Sequence, residues 1–182
     1  MRAKPIALIA AVTLIAGAAS AAAPPAAWRL SSDGYGPVLI GMTEAQATKA
    51  LGSALDSDKP PASAGAQELA DWRACHQAQA KDAPGLFLMF ENGRLTSVWV
   101  DEGSHVVTTA GLGVGDTEAR VKRTYGAALK IEPNAYEEPP AHYLTVKGGK
   151  PGRGVKFTTD KSGKVTSIAG GGASIGYSEG CA

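Results

Sequence analysis

The sequence predicts an α+β fold in which two tandem units each place a short helix on an antiparallel β-meander. One observation is a repeated helix pattern: "IGMTEAQATKALG" from residue 40 returns as "VGDTEARVKRTYG" from residue 114, which is 74 positions later. A second is a repeated hairpin pattern, in which "NGRLTSV" returns as "SGKVTSI". Because neither copy is large enough to form a stable hydrophobic core alone, we expect the two units to share one core.

The N-terminal residues predict export. Arg2 and Lys4 precede the apolar run "IALIAAVTLIAG", and Ala19-Ser20-Ala21 fits a signal-peptidase site. We therefore expect a signal peptide over residues 1–21, and a protein that is periplasmic or secreted. The apolar run is shorter than the ~20 residues that a membrane-spanning helix needs, so no transmembrane segment is expected in the mature form. Residues 22–33 are predicted to be a spacer, 34–103 the first unit and 104–182 the second.

Both helices are predicted from their end signals. In the first copy, Thr43 is an N-cap with Gln46 three residues later, which together make a capping box, and Gly52 ends the helix. In the second copy, Thr117 is the N-cap residue and Gly126 ends the helix. Each helix spans only about two turns and is not stable by itself, so we expect it to lie on a sheet.

The strands are predicted from β-rich runs between turn residues. Asn92-Gly93 is a strong hairpin signal inside residues 85–100, and Ser162-Gly163 takes the same place inside residues 154–170. Further strands are expected at "PVLI", "HVVTTA", "AHYLTVK", "ADWRACHQAQA" and, to close the sheet, "ASIGYSEGCA". The proline-rich stretches "DSDKPPASAG" and "PNAYEEPPA" are expected to be loops.

The two cysteines predict one disulfide. In an exported protein, an even pair such as Cys75 and Cys181 favours a bridge over two buried free thiols. The bridge would tie down a chain end that otherwise frays.

The charge balance argues against nucleic acid as a partner. Without Arg2 and Lys4, 16 basic residues face 17 acidic ones, a net charge of −1. The distribution is uneven, since residues 22–103 carry 6 basic and 10 acidic residues whereas residues 104–182 carry 10 and 7.

One basic stretch, residues 146–164, is a candidate binding rim for an anionic partner. Its cations are Lys147, Lys150, Arg153, Lys156, Lys161 and Lys164. The alternative interpretation is a solvated strand-and-loop surface. Trp72, Trp99 and Tyr136 are either contact residues beside such a rim or parts of the core.

No motif for catalysis, cofactor or metal satisfies its structural requirements. "GYSEG" at residues 176–180 fits G-x-S-x-G, but no histidine and no helix can follow it. "GLGVGD" at residues 111–116 lacks the last glycine of a dinucleotide loop. His76, His105 and His142 have no metal-ligand spacing among themselves and are interpreted as structural.

The helix starts Gly-Met-Thr and Gly-Asp-Thr, the ends Leu-Gly and Tyr-Gly, and the following meanders resemble the exported BamE-type (SmpA/OmlA) module. The tandem arrangement is similar to that of β-lactamase-inhibitory-protein-like repeats, and the ending "GYSEGC" resembles a group of secreted bacterial proteins. The resemblance covers residues 36–181 and implies an α+β fold built from helix-on-meander units.

The sequence thus predicts an exported, non-catalytic binding protein, such as an inhibitor or an envelope-assembly accessory, whose partner is a protein or an anionic envelope polymer. The alternative is a hydrolase or cell-wall-modifying enzyme, which would need a cleft that groups titratable residues, for example His142 with Glu137 or Glu138. A broad open sheet face would favour binding, and a deep pocket lined by histidine and acids would favour catalysis.

Overall fold

The computed structural model describes residues 27–181, and the predicted signal peptide lies outside the described residues. The helices are α1 (Glu44–Leu51), α2 (Ala66–Ala74) and α3 (Glu118–Tyr125), with short 3₁₀ helices at Gly126–Ala128 and Ala173–Gly176. The strands in chain order are β1 (Leu30–Ser31), β2 (Gly34–Tyr35), β3 (Val38–Leu39), β4 (Leu55–Asp56), β5 (Cys75–Ala80), β6 (Leu86–Glu91), β7 (Arg94–Val100), β8 (Leu129–Pro133), β9 (His142–Lys147), β10 (Gly154–Thr159) and β11 (Val165–Gly171).

The strands form two antiparallel sheets, which confirms the predicted α+β class. Strands β1, β2 and β3 make a small sheet. The other eight form one sheet in the order β4-β5-β6-β7-β11-β10-β9-β8, so β7 and β11 meet in the middle and β4 and β8 are the outer edges. Each meander stays contiguous within this order. The interpretation of the two halves as equivalent tandem units remains a prediction.

The predicted helix ends are confirmed. Thr43 accepts a hydrogen bond from the Gln46 amide, the Gln46 side chain accepts one from the Thr43 amide, and Gly52 ends α1 in the left-handed conformation. Thr117 caps α3 through the Arg120 amide. Strand β4 begins three residues after Gly52, and strand β8 begins three residues after Gly126, at the end of the 3₁₀ helix Gly126–Ala128.

Both predicted hairpin turns are also confirmed. Asn92 and Gly93 have φ of 51° and 72° between the paired ends of β6 and β7, which suits the tight turn that an Asn-Gly pair favours. Gly163 has φ of 72° in the turn between β10 and β11, where the Asp160 side chain accepts hydrogen bonds from the Ser162 and Lys164 amides.

Three predicted strands differ from the structure. "ADWRACHQAQA" is divided between the end of α2 and β5, because the alternating pattern starts only at Cys75. "HVVTTA" forms isolated bridges at Val107 and Thr108 rather than a strand. "ASIGYSEGCA" is not a closing strand: it begins with the 3₁₀ helix Ala173–Gly176 and then runs without regular structure.

The helices and the small sheet cover one face of the large sheet. Leu51 of α1, Val121 of α3, Phe90 of β6 and Phe157 of β10 belong to a single cluster of buried apolar side chains. Alternation along β6 and β10 places every second residue in this cluster and the residues between on the opposite, open face, while β7 and β11 each shift the alternation once at a register irregularity.

Strand β1 packs closely on the large sheet. The Leu30 amide donates to the Val107 carbonyl, and a Cβ at Gly170 of β11 would lie 2.4 Å from the Ser31 carbonyl oxygen. Glycine at position 170 therefore permits this close approach. Since Leu30 is fully buried, the core extends into residues 22–33, which the sequence predicts as a spacer.

Candidate binding cleft

The last ten described residues lie across the open face of the large sheet. This C-terminal segment (residues 172–181) leaves β11, and its Ser174 hydroxyl donates to the Ser97 hydroxyl of β7 at 3.0 Å. Further on, the Tyr177 hydroxyl donates to the Glu91 carboxylate of β6 at 2.8 Å. The segment thus crosses from the second meander to the first and covers the middle of the face.

A disulfide joins the end of this segment to the sheet. Cys181 is bonded to Cys75 at the start of β5, with Cα atoms 5.5 Å apart and a sequence separation of 106 residues. The predicted pairing is confirmed. Both cysteines of the sequence are used, and the segment is fixed at both of its ends.

Beside the C-terminal segment, the open face forms a cleft of about 780 Å³ that runs along β9. The loop before β9 contributes Tyr136, and residues 148–153 after β9 close the other end. Tyr143 and Lys147 project into the cleft from β9, and Ile175 lines it from the C-terminal segment.

Lys156 is the most deeply buried charged residue of this cleft. On β10 it alternates with Phe157, so its side chain points away from the core and under the C-terminal segment. Ala169 lies between Trp99 and Lys156 in the strand register, and its small side chain leaves the lysine room. The residue is only 6% exposed.

Aromatic rings and one carbonyl hold the Lys156 ammonium. Its Nζ lies 5.1 Å from the ring centroids of both Trp99 and Tyr143, within the range of cation–π attraction. It also donates to the Tyr177 carbonyl at 3.2 Å. Burial lowers the pKa of Lys156 from its ordinary value, since desolvation disfavours the charged form.

The other predicted rim cations do not form one continuous surface. Lys150 and Arg153, in the loop before β10, both contact the Asp33 carboxylate, and their hydrogen bonds lower the pKa of Asp33, that from Lys150 most. Lys147 is exposed, and no described carboxylate lies within ion-pair distance of it. The cleft therefore gathers Lys147, Lys150, Arg153 and the buried Lys156.

Lys161 and Lys164 lie at the opposite end of β10, in the turn before β11. Lys161 Nζ is 3.8 Å from the Glu138 carboxylate, and Lys164 Nζ donates to the Gly115 carbonyl at 3.4 Å. Neither lines the cleft. The six predicted cations therefore do not form a single rim: four lie at the cleft, on β9, on β10 and in the loop between them, and two lie in the turn after β10.

Two of the histidines form a matching pair of contacts on the helix-covered face. His76 Nε2 is 3.2 Å from the Glu44 carboxylate, and its ring is stacked 3.9 Å from Trp72. His142 Nδ1 is 3.1 Å from the Glu118 carboxylate. Each glutamate is the first residue of its helix, so each pair ties a helix start to a strand.

The histidine contacts lie outside the cleft. His142 pairs with Glu118 rather than with Glu137 or Glu138, and no histidine lines the cleft among the described residues. Residues 27–181 also contain no group of three His, Cys, Asp or Glu that could hold a metal ion.

Tyr143 and the C-terminal segment were not among the sequence-predicted site residues. Tyr143 could have been found from the alternation of β9, which places Tyr143, Thr145 and Lys147 on one face. Nothing local in the sequence indicates that residues 172–181 cross the sheet. Of the three predicted aromatic contact residues, Tyr136 lines the cleft and is 62% exposed, whereas Trp72 and Trp99 stack on His76 and Lys156.

Comparison with known protein families, curated proteins and solved structures finds no match to this chain. None of the helices in residues 27–181 is long and apolar enough to span a bilayer.

Proposed function

We propose that this protein is an exported, non-catalytic binding protein that engages a negatively charged macromolecular partner at the cleft. The observation that carries the proposal is the cleft itself: an open sheet face along β9 with exposed aromatic and cationic side chains, bounded by a disulfide-tethered segment.

The shape and composition of the cleft support binding of a large partner. Tyr136 and Tyr143 offer amphipathic rings of the kind that contribute most at interfaces. Strand β9 is six residues long, so the cleft extends for about 20 Å and suits a chain better than a compact small molecule.

The local charge supports an anionic partner. Lys147, Lys150 and Arg153 surround the cleft, and Lys150 and Arg153 share the single Asp33 carboxylate, so the three cations keep an excess of positive charge. The one carboxylate among the described lining residues is Glu132, which is paired with Lys130 at 2.8 Å. Positive charge in a groove raises the association rate of anions. An acidic protein surface and an anionic envelope polymer are the two partner classes that this charge fits.

The arrangement offers little support for the hydrolase alternative. Hydrolysis at this cleft would need a nucleophile or an activated water beside a base. The described lining residues include the hydroxyls of Thr145 and Ser178 but no histidine, and the Ser178 hydroxyl donates to the Tyr136 hydroxyl. The resemblance to BamE-type and inhibitor-like modules agrees with a binding role and is itself part of the proposal. Export is supported by the disulfide, since such bonds persist in oxidising compartments.

A charge-matched pair of variants tests the proposal. Immobilised wild-type protein is used to capture a partner from an envelope extract, and the association rate of the purified partner is then measured. Lys147→Gln/Lys150→Gln removes two charges at the cleft, and Lys161→Gln/Lys164→Gln removes two at the other end of β10. We expect the first variant alone to slow association, and added salt to slow the wild type.

A partner site at the cleft would be contradicted if both variants slowed association equally. It would also be contradicted if neither variant changed the association rate and salt had no effect on it. Export is tested separately by N-terminal sequencing of the protein from the periplasm or medium, where we expect the chain to begin at Ala22.

A further inference from the structure

The ammonium of Lys156 is incompletely satisfied inside the cleft. It has three N–H groups, and one of them donates to the Tyr177 carbonyl. Among the described residues, no carboxylate lies within ion-pair distance of Nζ. Buried charges in proteins are as a rule paired with an opposite charge, because removing them from water is costly. Trp99 and Tyr143 offset part of this cost through their ring faces, but neither side chain accepts a hydrogen bond from Nζ.

We propose that the cleft receives a carboxylate side chain of an extended, acidic peptide segment, which binds against the Lys156 ammonium. The inference rests on the proposed function, because the peptide segment belongs to the macromolecular partner. At the base of the cleft, Lys156 donates one hydrogen bond to the Tyr177 carbonyl, and the two carboxylate oxygens match its two remaining N–H groups.

The number of charges at the base favours a carboxylate over a phosphate. Lys150 and Arg153, the cations of the loop after β9, are already bound to Asp33, which leaves Lys156 as a single positive charge at the base. A phosphate group carries about −1.5 to −2 charges at neutral pH and prefers several donors or a guanidinium fork. A carboxylate carries one negative charge and fits one ammonium.

The walls favour a peptide over a polysaccharide. Tyrosine is among the residues most enriched at protein interfaces, and both Tyr136 and Tyr143 line the cleft. The cleft follows β9 over six residues, so an extended peptide of about the same length can lie along it with one acidic side chain pointing down. Lys147 is then placed to contact a second carboxylate near the end of the peptide.

A purely structural role for Lys156 makes a different prediction. If the lysine only holds the C-terminal segment through Tyr177, its replacement would loosen that segment, but no added peptide would change its environment. The experiment therefore observes the lysine directly in the wild-type protein.

The protein is labelled with ¹³C at the lysine ε-carbons, and the Lys156 signal is followed by NMR during peptide addition. The probes are the capped peptides Ac-GGEGG-amide and Ac-GGQGG-amide, which differ only in the carboxylate. We expect saturable displacement of the Lys156 signal by the glutamate peptide and none by the glutamine peptide. Lys81, which is exposed beside Asp56 far from the cleft, is the internal control and should show no saturable change.

Two further probes separate the alternatives. A phosphoserine peptide of the same length and a galacturonic acid oligomer are titrated in the same way. Weaker responses than that to the glutamate peptide support the proposal, whereas a stronger response to either would overturn its choice of ligand. Equal responses to the glutamate and glutamine peptides, or no response of Lys156 to any probe, would overturn the carboxylate site.

Variants complete the test. Lys156→Met keeps an unbranched apolar side chain beside the aromatic rings and removes the ammonium. We expect it to lower affinity for the glutamate peptide about tenfold or more, the usual effect of losing a charged hydrogen bond. Lys81→Met is the matched control and should bind like the wild type. A macromolecular partner that binds at the cleft while the glutamate peptide leaves Lys156 unchanged would refute this inference and leave the proposed function standing.

Discussion

Removal of the Cys75–Cys181 disulfide should lower the free energy of unfolding substantially. The bond joins residues separated by 106 positions, and a loop of that length restricts the entropy of the unfolded chain by about 16 cal/mol/K in the chain-entropy treatment. At 25 °C this amounts to about 4.8 kcal/mol, which is an upper limit because unfolded chains keep residual structure. We expect a measured loss of about 2–4 kcal/mol.

The assay is urea unfolding of the wild type, Cys75→Ser, Cys181→Ser and the double variant. All three variants should lose the same amount, because each removes the same bond, and their thermodynamic cycle should show full coupling. Ser174 and Tyr177 still hold the C-terminal segment in the folded state, so the variants should remain folded without urea. A loss below about 1 kcal/mol, or a double variant that loses twice as much as either single one, would refute the reasoning.

Three other predictions address the fold and its charges. Phe157→Ala should cost about 3–5 kcal/mol in urea unfolding, because Phe157 is fully buried, while Lys130→Ala on the exposed β8 should change stability by less than about 0.5 kcal/mol. Thr43→Ala should cost about 1 kcal/mol by the same measurement, and Thr43→Ser should retain most of the cap. Burial alone would raise the pKa of Glu118, but hydrogen bonds from Lys122 and His142 lower it overall below its ordinary value of 4.5. Between the folded pKa and 4.5, the unfolded chain then binds more protons than the folded protein, so the stability of the wild type should fall as pH drops through this window. The variant Glu118→Gln should lack this part of the pH dependence. Urea unfolding of both proteins across pH 3–7 measures the difference.

Local signals made helices α1 and α3 and both hairpins predictable, whereas α2 was not predicted. Thr43 and Thr117 act through hydrogen bonds to amides three residues away, and Asn92-Gly93 through its own backbone preferences. Such features depend on sequence neighbours alone. The same holds for the disulfide, because two cysteines permit only one intramolecular pairing.

The cleft could not be predicted because its parts are distant in sequence. Lys156 follows the pattern of an outward-facing strand residue, and only the return of residues 172–181 over the open face buries it. The contacts of Glu44 with His76 and of Glu118 with His142 likewise join residues 32 and 24 positions apart. The recurrence of glutamate directly after each helix cap is the one sequence signal that points to them.

The outer edge of β8 has a consequence for self-association. The backbone N–H of Asn134 donates to the Ala141 carbonyl, on the side that faces β9. Because successive residues of an edge strand alternate in direction, the backbone N–H and C=O groups of Leu129, Ile131 and Pro133 point away from the sheet. Proline has no N–H, and the Leu129 amide donates to the Gly126 carbonyl, which leaves Ile131 as the one outward donor of this strand. The loss of two of the three outward N–H groups weakens pairing with the strand of a second molecule, and the opposite edge strand, β4, is two residues long. Both edges of the eight-stranded sheet are therefore poor templates for a further strand, which disfavours growth of intermolecular β-structure.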